Sequence, residues 1–239
     1  MDHSILINKL ELLGLRGVVL DLVKSYLSNR MQMAKVNNTL SQKKSLNIGV
    51  PQGSILGPLF FIIYVNDLLD LIDNISLYAD DTVIYCSKKT WKEAEKTMNK
   101  YLTLVNSWYF VNKLSINIKK TVYVTFANKT NSLPNNINIS INNESLKRVT
   151  SVKYLGVIYD QHLKWKDHLL NVFKKTRYLI YIIARLNNIL SYNNLISVYY
   201  AFFHSIASYG IIAWRNAYGN SIDLLHKLES KIVKIIINE

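Results

Sequence analysis

Tyr78-Ala79-Asp80-Asp81 is the segment of this sequence best equipped for chemistry. It sits between Ser76-Leu77 and Thr82-Val83-Ile84-Tyr85-Cys86, so the pattern reads strand, acidic turn, strand. Adjacent carboxylates repel unless a cation or solvent screens them. Oxygen-rich sites of this kind suit Mg²⁺, which keeps several waters and takes substrate phosphates as further ligands. Two such ions, roughly 3.5–4 Å apart, clamp the attacking and leaving oxygens of a phosphoryl transfer. An isolated Asp-Asp is more often an exposed turn, and here the flanking strands favour the metal reading. A second segment, Gly49-Val50-Pro51-Gln52-Gly53-Ser54, runs into Leu56-Gly57-Pro58 and a helix. Glycines at this density let backbone approach a ligand, and free N–H groups near a helix start suit a phosphate or sugar. By itself it is equally the pattern of a plain strand-to-helix turn.

Composition favours a polyanionic partner. The 239 residues carry 29 Lys and Arg against 16 Asp and Glu, a formal charge of +13, with a pI near 9.6. Such a balance on a folded chain points to nucleic acid. Residues 1–146 hold a net +5 and residues 147–239 a net +8, so the shorter second part is the stronger candidate for gripping phosphates. An apolar content of 49% excludes overall disorder. The single cysteine, Cys86, excludes a disulfide scaffold and a Cys-based zinc module, and reads as a small buried apolar group. Met1-Asp2-His3-Ser4 lacks the character of a signal peptide. Ile196–Trp214 has no charged residue, but its tyrosines, serines and His204 read as buried helix rather than a membrane span. The expected location is intracellular, nuclear or cytoplasmic, and not secreted.

These candidate sites need positioning elements. Apolar spacing predicts helices through Ile5–Leu13 and Val19–Leu27, broken at Gly14 and Gly17. Alternating runs at Met33–Val36 and Leu46–Val50 predict paired strands. A helix begins near Pro58 and runs to Leu69, and Trp91, Met98, Leu102, Val105 and Trp108 mark another. Asp67, Asp70 and Asp73, three apart, read as a solvated helix face. Ser115 to Tyr159 is strand-like, interrupted by an Asn-rich loop or loose hairpin over 128–143. From Trp165 the pattern is helical, with Lys174, Lys175 and Arg177 off the apolar face. The last helix turns Leu225, Leu228, Ile232 and Ile235 inward, with Lys227, Lys231 and Lys234 on a separate stripe. The order is mixed α+β first and an all-helical basic region second.

Gly-Val-Pro-Gln-Gly-Ser, a hydrophobic helix and Tyr-Ala-Asp-Asp, in that order, resemble the palm of a reverse transcriptase. Phe60-Phe61-Ile62-Ile63-Tyr64-Val65-Asn66-Asp67-Leu68 is similar to the intervening segment of the polymerases of non-LTR (LINE-type) retrotransposons. So are Trp108 with Asn112-Lys113-Leu114, Asn117-Ile118-Lys119-Lys120-Thr121 and Tyr154-Leu155-Gly156-Val157, while Tyr199-Tyr200 to Tyr209-Gly210 and Trp214 resemble the helical region beyond the palm.

This resemblance implies a palm, an antiparallel sheet backed by helices, over residues 1–160, and a helical thumb with downstream helices over 161–239. It implies RNA-directed DNA synthesis on an RNA template and DNA primer from deoxynucleoside triphosphates, with two Mg²⁺ ions for which Mn²⁺ can substitute. Asp80 and Asp81 match the metal-binding carboxylates, and Lys120 the general acid for pyrophosphate. Gly49, Val50, Pro51, Gln52, Gly53 and Ser54 match the loop lining nucleotide and template. Tyr154, Leu155 and Gly156 match the primer grip, and Lys174, Lys175 and Arg177 would track the nucleic-acid backbone. In the family a Phe-Asp pair, carrying the first catalytic aspartate, precedes the stretch resembling Asp2–Leu6. That pair and the fingers would fall before these residues, so the expectation is a palm–thumb fragment inactive by itself. The rival expectations are a catalytically dead nucleic-acid-binding remnant and another palm polymerase, the latter disfavoured by the Asn-x-x-Lys-Thr and Tyr-Leu-Gly-Val segments.

Overall fold

Asp2 starts the first helix: its carboxylate Oδ1 accepts the backbone N–H of Ser4 (3.0 Å) and Ile5 (3.2 Å), the side-chain cap that satisfies orphan donors of a first turn. The computed structural model describes every residue except Gln52, 128–132, Asn135, Tyr218 and 238–239, and the side chains of Asn220 and Ser221. Helix α1 spans His3–Leu12 and α2 spans Gly17–Leu27. Four short strands follow, β1 (Met31–Gln32), β2 (Lys35–Val36), β3 (Thr39–Leu40) and β4 (Lys44–Ser45), then α3 (Leu56–Val65) and a 3₁₀ turn over Asn66–Leu71. Strands β5 (Ile75–Tyr78) and β6 (Asp81–Ile84) lead to α4 (Trp91–Val111), which Thr90 caps through the N–H of Glu93. Then come β7 (Val122–Tyr123), β8 (Ser140–Ile141), β9 (Glu144–Ser145), β10 (Lys147–Arg148), β11 (Ser151–Tyr154) and β12 (Val157–Asp160). Helices α5 (Lys166–Thr176), α6 (Leu179–Leu186), α7 (Tyr192–Val198), α8 (Ser205–Ala207), α9 (Ile211–Trp214) and α10 (Asn220–Ile237) complete the chain, with a π-helical turn over Tyr199–His204.

The chain divides into two compact units, residues 1–122 with 136–147, and residues 123–135 with 148–239. Residues 148–160 thus cluster with the helices that follow them. The class is mixed, helices with small antiparallel sheets, and strand pairing among the described residues is confined to two-stranded ribbons. Met33–Val36 does not pair with Leu46–Val50 as the alternation suggests. Met31 faces Ser45 and Lys35 faces Leu40 instead, because Asn37 and Asn38, both at positive φ, close a tight turn whose twist matches that of the strands. Asn142 and Asn143 do the same between β8 and β9, within the stretch expected to be loop. Among the described residues no helix is long and apolar enough to cross a membrane. The uncharged Ile196–Trp214 stretch is broken into α-helical and π-helical pieces.

The core of the first unit gathers Leu6, Leu10, Leu20, Val23, Leu27, Phe60, Tyr64, Leu68, Val105 and Trp108. Tyr64 is fully buried, yet its hydroxyl is satisfied. It donates to the carbonyl of Asn112 (2.6 Å) and accepts the N–H of Asp2 (3.2 Å), and burial raises the phenol above its ordinary pKa. Lys9 donates to the Tyr64 carbonyl (2.6 Å) and to Asp67 (2.7 Å), and lies 4.8 Å from the Trp108 ring centroid. Asp67 is therefore half of an ion pair with Lys9, 58 residues away, and not merely a solvated face. In the second unit Leu169, Leu179, Ile183, Leu195, Phe203, Leu228 and Ile232 form the core. The last helix buries Leu225, Leu228, Ile232 and Ile236, with Ile235 only partly covered.

Replacing Tyr64 by Phe keeps the ring and leaves a buried carbonyl and an amide without their partner. The expected cost is about 1–3 kcal/mol, read as a lower urea midpoint at unchanged m-value.

Candidate active site

Strands β5 and β6 pair in register from Ile75↔Ile84 to Tyr78↔Asp81, so Asp81 occupies the last rung and Ala79-Asp80 alone make the loop. Both aspartates are exposed. Among the described residues neither carboxylate has a hydrogen-bond or ion-pair partner. Ala79 holds φ +51, a left-handed conformation that costs an L-residue about 1–2 kcal/mol. The hairpin is anchored behind the loop, where the Thr82 hydroxyl meets the Tyr109 hydroxyl of α4 at 3.2 Å. Cys86 is half-buried, as its small apolar character suggests, and burial raises its thiol pKa. Two unspent carboxylates offer the hard oxygen donors that Mg²⁺ takes. They do not close a site by themselves, for among the described residues no group of three or more His, Cys, Asp or Glu is clustered to hold a metal.

Asp2, the other carboxylate near the start, is already committed. Besides capping α1 it binds the Lys113 ammonium at 2.7 Å. That bond and the Ile5 N–H hold its carboxyl below the usual range. The Asn112-Lys113 pair is thus a structural clamp: Asn112 gives its carbonyl to Tyr64 and its side-chain amide to the Trp108 carbonyl (3.0 Å), while Lys113 reaches Asp2.

The glycine-rich loop is fastened at its entry. Gly49 donates its N–H to the Met1 carbonyl (2.7 Å), its carbonyl contacts the His3 ring nitrogen Nε2 (2.7 Å), and Ile48 bridges Asp2. At its exit the Ser54 hydroxyl donates to the Pro51 carbonyl (2.8 Å) and accepts the Gly57 N–H (3.1 Å), so Ser54 holds the turn into α3. Val50 and Pro51 are half-buried and Gly53 is exposed; Gln52 lies outside the described residues. Lys120 is exposed on a turn whose N–H groups Asn117 accepts. Among the described residues no hydrogen bond or ion pair joins Asp80 or Asp81 to Lys120 or to the Gly49–Ser54 loop.

In the second unit Tyr154-Leu155-Gly156 is the turn of the β11–β12 hairpin, with Leu155 at φ +45 and Gly156 at φ +83. Tyr209 packs on it. The Tyr209 hydroxyl donates to the Leu155 carbonyl (2.8 Å), and a Cβ on Gly156 would stand 2.9 Å from the Tyr209 ring. The Tyr209-Gly210 pair, quoted above only for its likeness, is the support of that turn. Beneath it lies a cavity of about 250 Å³ lined by His168, Asn171, Lys175, Ser205 and Tyr209 among others. His168, passed over in the sequence, is buried. Its Nδ1 accepts the Ile158 N–H (3.3 Å) while Nε2 finds no partner, and burial, aided by Lys175, lowers its pKa. Lys174, Lys175 and Arg177 are all exposed at the end of α5, where cations also suit the helix dipole.

Comparison with known proteins matches residues 1–159 to the family described as "Reverse transcriptase (RNA-dependent DNA polymerase)". An RNA-directed DNA polymerase from the mobile element jockey of Drosophila melanogaster is 28% identical over 227 residues, 90% of this chain and 24% of that protein. A probable RNA-directed DNA polymerase from transposon BS of the same fly is 29% identical over 226 residues, 90% of this chain and 25% of its own length. A Pol polyprotein from the type-1 retrotransposable element R1 of Nasonia vitripennis is 29% identical over 134 residues, 53% of this chain and 40% of that protein. The chain spans about a quarter of the length of the two fly relatives.

Two outcomes test the second-unit geometry. Gly156→Ala adds a Cβ in a left-handed turn against Tyr209 and should cost about 1–2 kcal/mol, seen as a lower thermal midpoint. The lowered His168 pKa means that folding favours the neutral ring. This contribution is complete above the ordinary value of 6.5 and is lost as pH falls below it. His168→Gln, uncharged throughout, should flatten the decline of unfolding free energy below pH 6.5 relative to the wild type.

Proposed function

The chain belongs to the reverse transcriptase family, and on that premise we propose that it is the palm and thumb portion of the RNA-directed DNA polymerase of a LINE-type retrotransposon, working inside the cell. The carrying observation is the contrast among its carboxylates. Asp2 is consumed by a helix cap and Lys113, whereas Asp80 and Asp81 stand exposed and unpartnered at a rigid hairpin turn.

In this reading Asp80 and Asp81 hold magnesium together with substrate phosphates and a carboxylate from the Phe-Asp segment that the family carries ahead of the stretch resembling Asp2–Leu6. Bound there, the ions would supply charge stabilisation to the oxygens of an in-line displacement, with Mn²⁺ as a substitute. The chain's own residues do the rest. The Gly49–Ser54 loop, Gln52 included, lines the incoming deoxynucleotide and the RNA template. Lys120, an exposed ammonium, donates a proton to the departing pyrophosphate as the primer 3′-hydroxyl attacks the α-phosphate. Tyr154-Leu155-Gly156 positions the primer end, supported by Tyr209. Lys174, Lys175 and Arg177 neutralise backbone phosphates.

The test joins the fingers and Phe-Asp segment of a related element directly before Asp2 and measures primer extension on an RNA template. The chimera should extend, and Asp80→Asn, which keeps size and removes charge, should lower the rate about a thousandfold or more. Equal rates with and without Asp80→Asn would sink the polymerase-site reading. A folded chimera inactive in both forms would assign the chain to a catalytically dead, nucleic-acid-binding remnant.

A further inference from the structure

Residues 28–45 contain no buried side chain. Within this span the backbone makes one nested antiparallel ribbon, β1 on β4 and β2 on β3, closed by the Asn37-Asn38 turn. The step from Met31↔Ser45 to Lys35↔Leu40 leaves one extra residue on the returning strand, so the ribbon carries a bulge midway. Met31, Met33, Val36 and Leu40 are 65%, 45%, 67% and 59% exposed. A lone two-stranded ribbon is marginal in water, and its outer edges present unpaired backbone groups. An arm of this construction is completed by whatever it lies against.

Charge identifies that partner. From residue 22 to residue 66 the chain has five basic residues and no acidic one. Lys24 stands 3.7 Å from Glu11; the other four, Arg30, Lys35, Lys43 and Lys44, are all in the arm, are all exposed, and have no carboxylate partner among the described residues. Arg30 is oriented at the base, its Nε donating to the Tyr26 carbonyl (2.8 Å) and its guanidinium 4.9 Å from the Tyr26 ring centroid. Lys44 pairs opposite Gln32 and Lys35 lies three residues further along the same ribbon. That separation is about 10 Å, on the order of three steps of a nucleic-acid strand. The arm also runs into Gly49, whose backbone is tied to Met1 and His3, so it is continuous with the loop assigned to template and nucleotide.

We propose that the 30–45 ribbon is a cationic arm that lies along the phosphodiester backbone of the RNA–DNA duplex, with Arg30, Lys35, Lys43 and Lys44 as its phosphate contacts. This rests on the reading of the chain as a reverse transcriptase, and it adds a second grip, in the first unit, to the one assigned to α5.

The test is fluorescence anisotropy of the full chain with a labelled RNA–DNA hybrid across a salt series. Three proteins are compared: wild type, an arm variant (Arg30→Gln, Lys35→Ala, Lys43→Ala, Lys44→Ala) and an α5 variant (Lys174→Ala, Lys175→Ala, Arg177→Gln). Wild-type affinity should fall steeply with salt. The arm variant should lose at least tenfold in affinity at low salt and flatten the log–log slope by about 0.9 for each phosphate contact removed. Its thermal midpoint should stay unchanged, since no buried side chain is altered. Should the quadruple variant misfold, Lys35→Glu next to the tip carries the same readout. Replacing Lys35, Lys43 and Lys44 by Arg should preserve both affinity and slope. Unchanged affinity and slope in a folded arm variant would overturn the arm while the α5 variant still reports on the wider reading. Absence of salt-dependent binding by the wild type would overturn both. Binding of polyglutamate as tight as that of the hybrid, lost in the arm variant, would give the arm to an acidic protein surface and overturn the proposal.

Discussion

A single buried hydroxyl ties the first unit together. Tyr64 joins the N–H of Asp2, 62 residues before it, to the carbonyl of Asn112, 48 residues after it. Neither group has water to fall back on, so the three segments hold position together or leave polar groups stranded in an apolar core. Lys9 adds to the constraint by binding the Tyr64 carbonyl and Asp67 while lying beside the Trp108 ring. The stretch from Met1 to His3 in turn fixes Gly49, so the entry of the glycine-rich loop inherits its position from the tyrosine. The helix that carries Tyr64 is the one that begins just after that loop.

The distribution of carboxylates follows from this arrangement. Asp2 and Asp67 are both spent on cations, Lys113 and Lys9, and stabilise the unit. Asp80 and Asp81 are kept out of such pairs by their place at the end of a ribbon whose other contact to α4, through Thr82 and Tyr109, is made by hydroxyls. A site that must accept a divalent cation gains from having no built-in competitor for its oxygens.

Much of this was legible in the sequence where the signal is local. The β5–β6 hairpin with its acidic turn, the helix beginning at Pro58 and the helical second part all follow from periodicity and turn chemistry over a few residues. The last helix was read correctly except at its end, where burial steps by four from Leu228 to Ile232 to Ile236 and leaves Ile235 on the flank. What the pattern missed is non-local or rests on unusual turn residues. Nothing near Asp67 announces Lys9, and nothing near His168 announces burial against the β11–β12 hairpin. The wrong partner was assigned to Met33–Val36 because Asn37-Asn38 lacks the glycine that usually marks a two-residue turn. Leu155 at positive φ is less expected still, and only the Tyr209 hydroxyl on its carbonyl shows what holds it there.

Four hairpins in this chain close on two residues each: Asn37-Asn38, Ala79-Asp80, Asn142-Asn143 and Leu155-Gly156. Side chains alternate across a ribbon, so one added residue either swaps the faces beyond it or opens a bulge. At Ala79-Asp80 this makes loop length, as much as acidity, the property that keeps Asp80 at the apex and Asp81 on the last rung. In-frame insertions and deletions are therefore least tolerated at these four points. Among diverged gene copies, constant spacing there separates those still filtered by selection from those accumulating changes freely, even where the residues themselves have turned over.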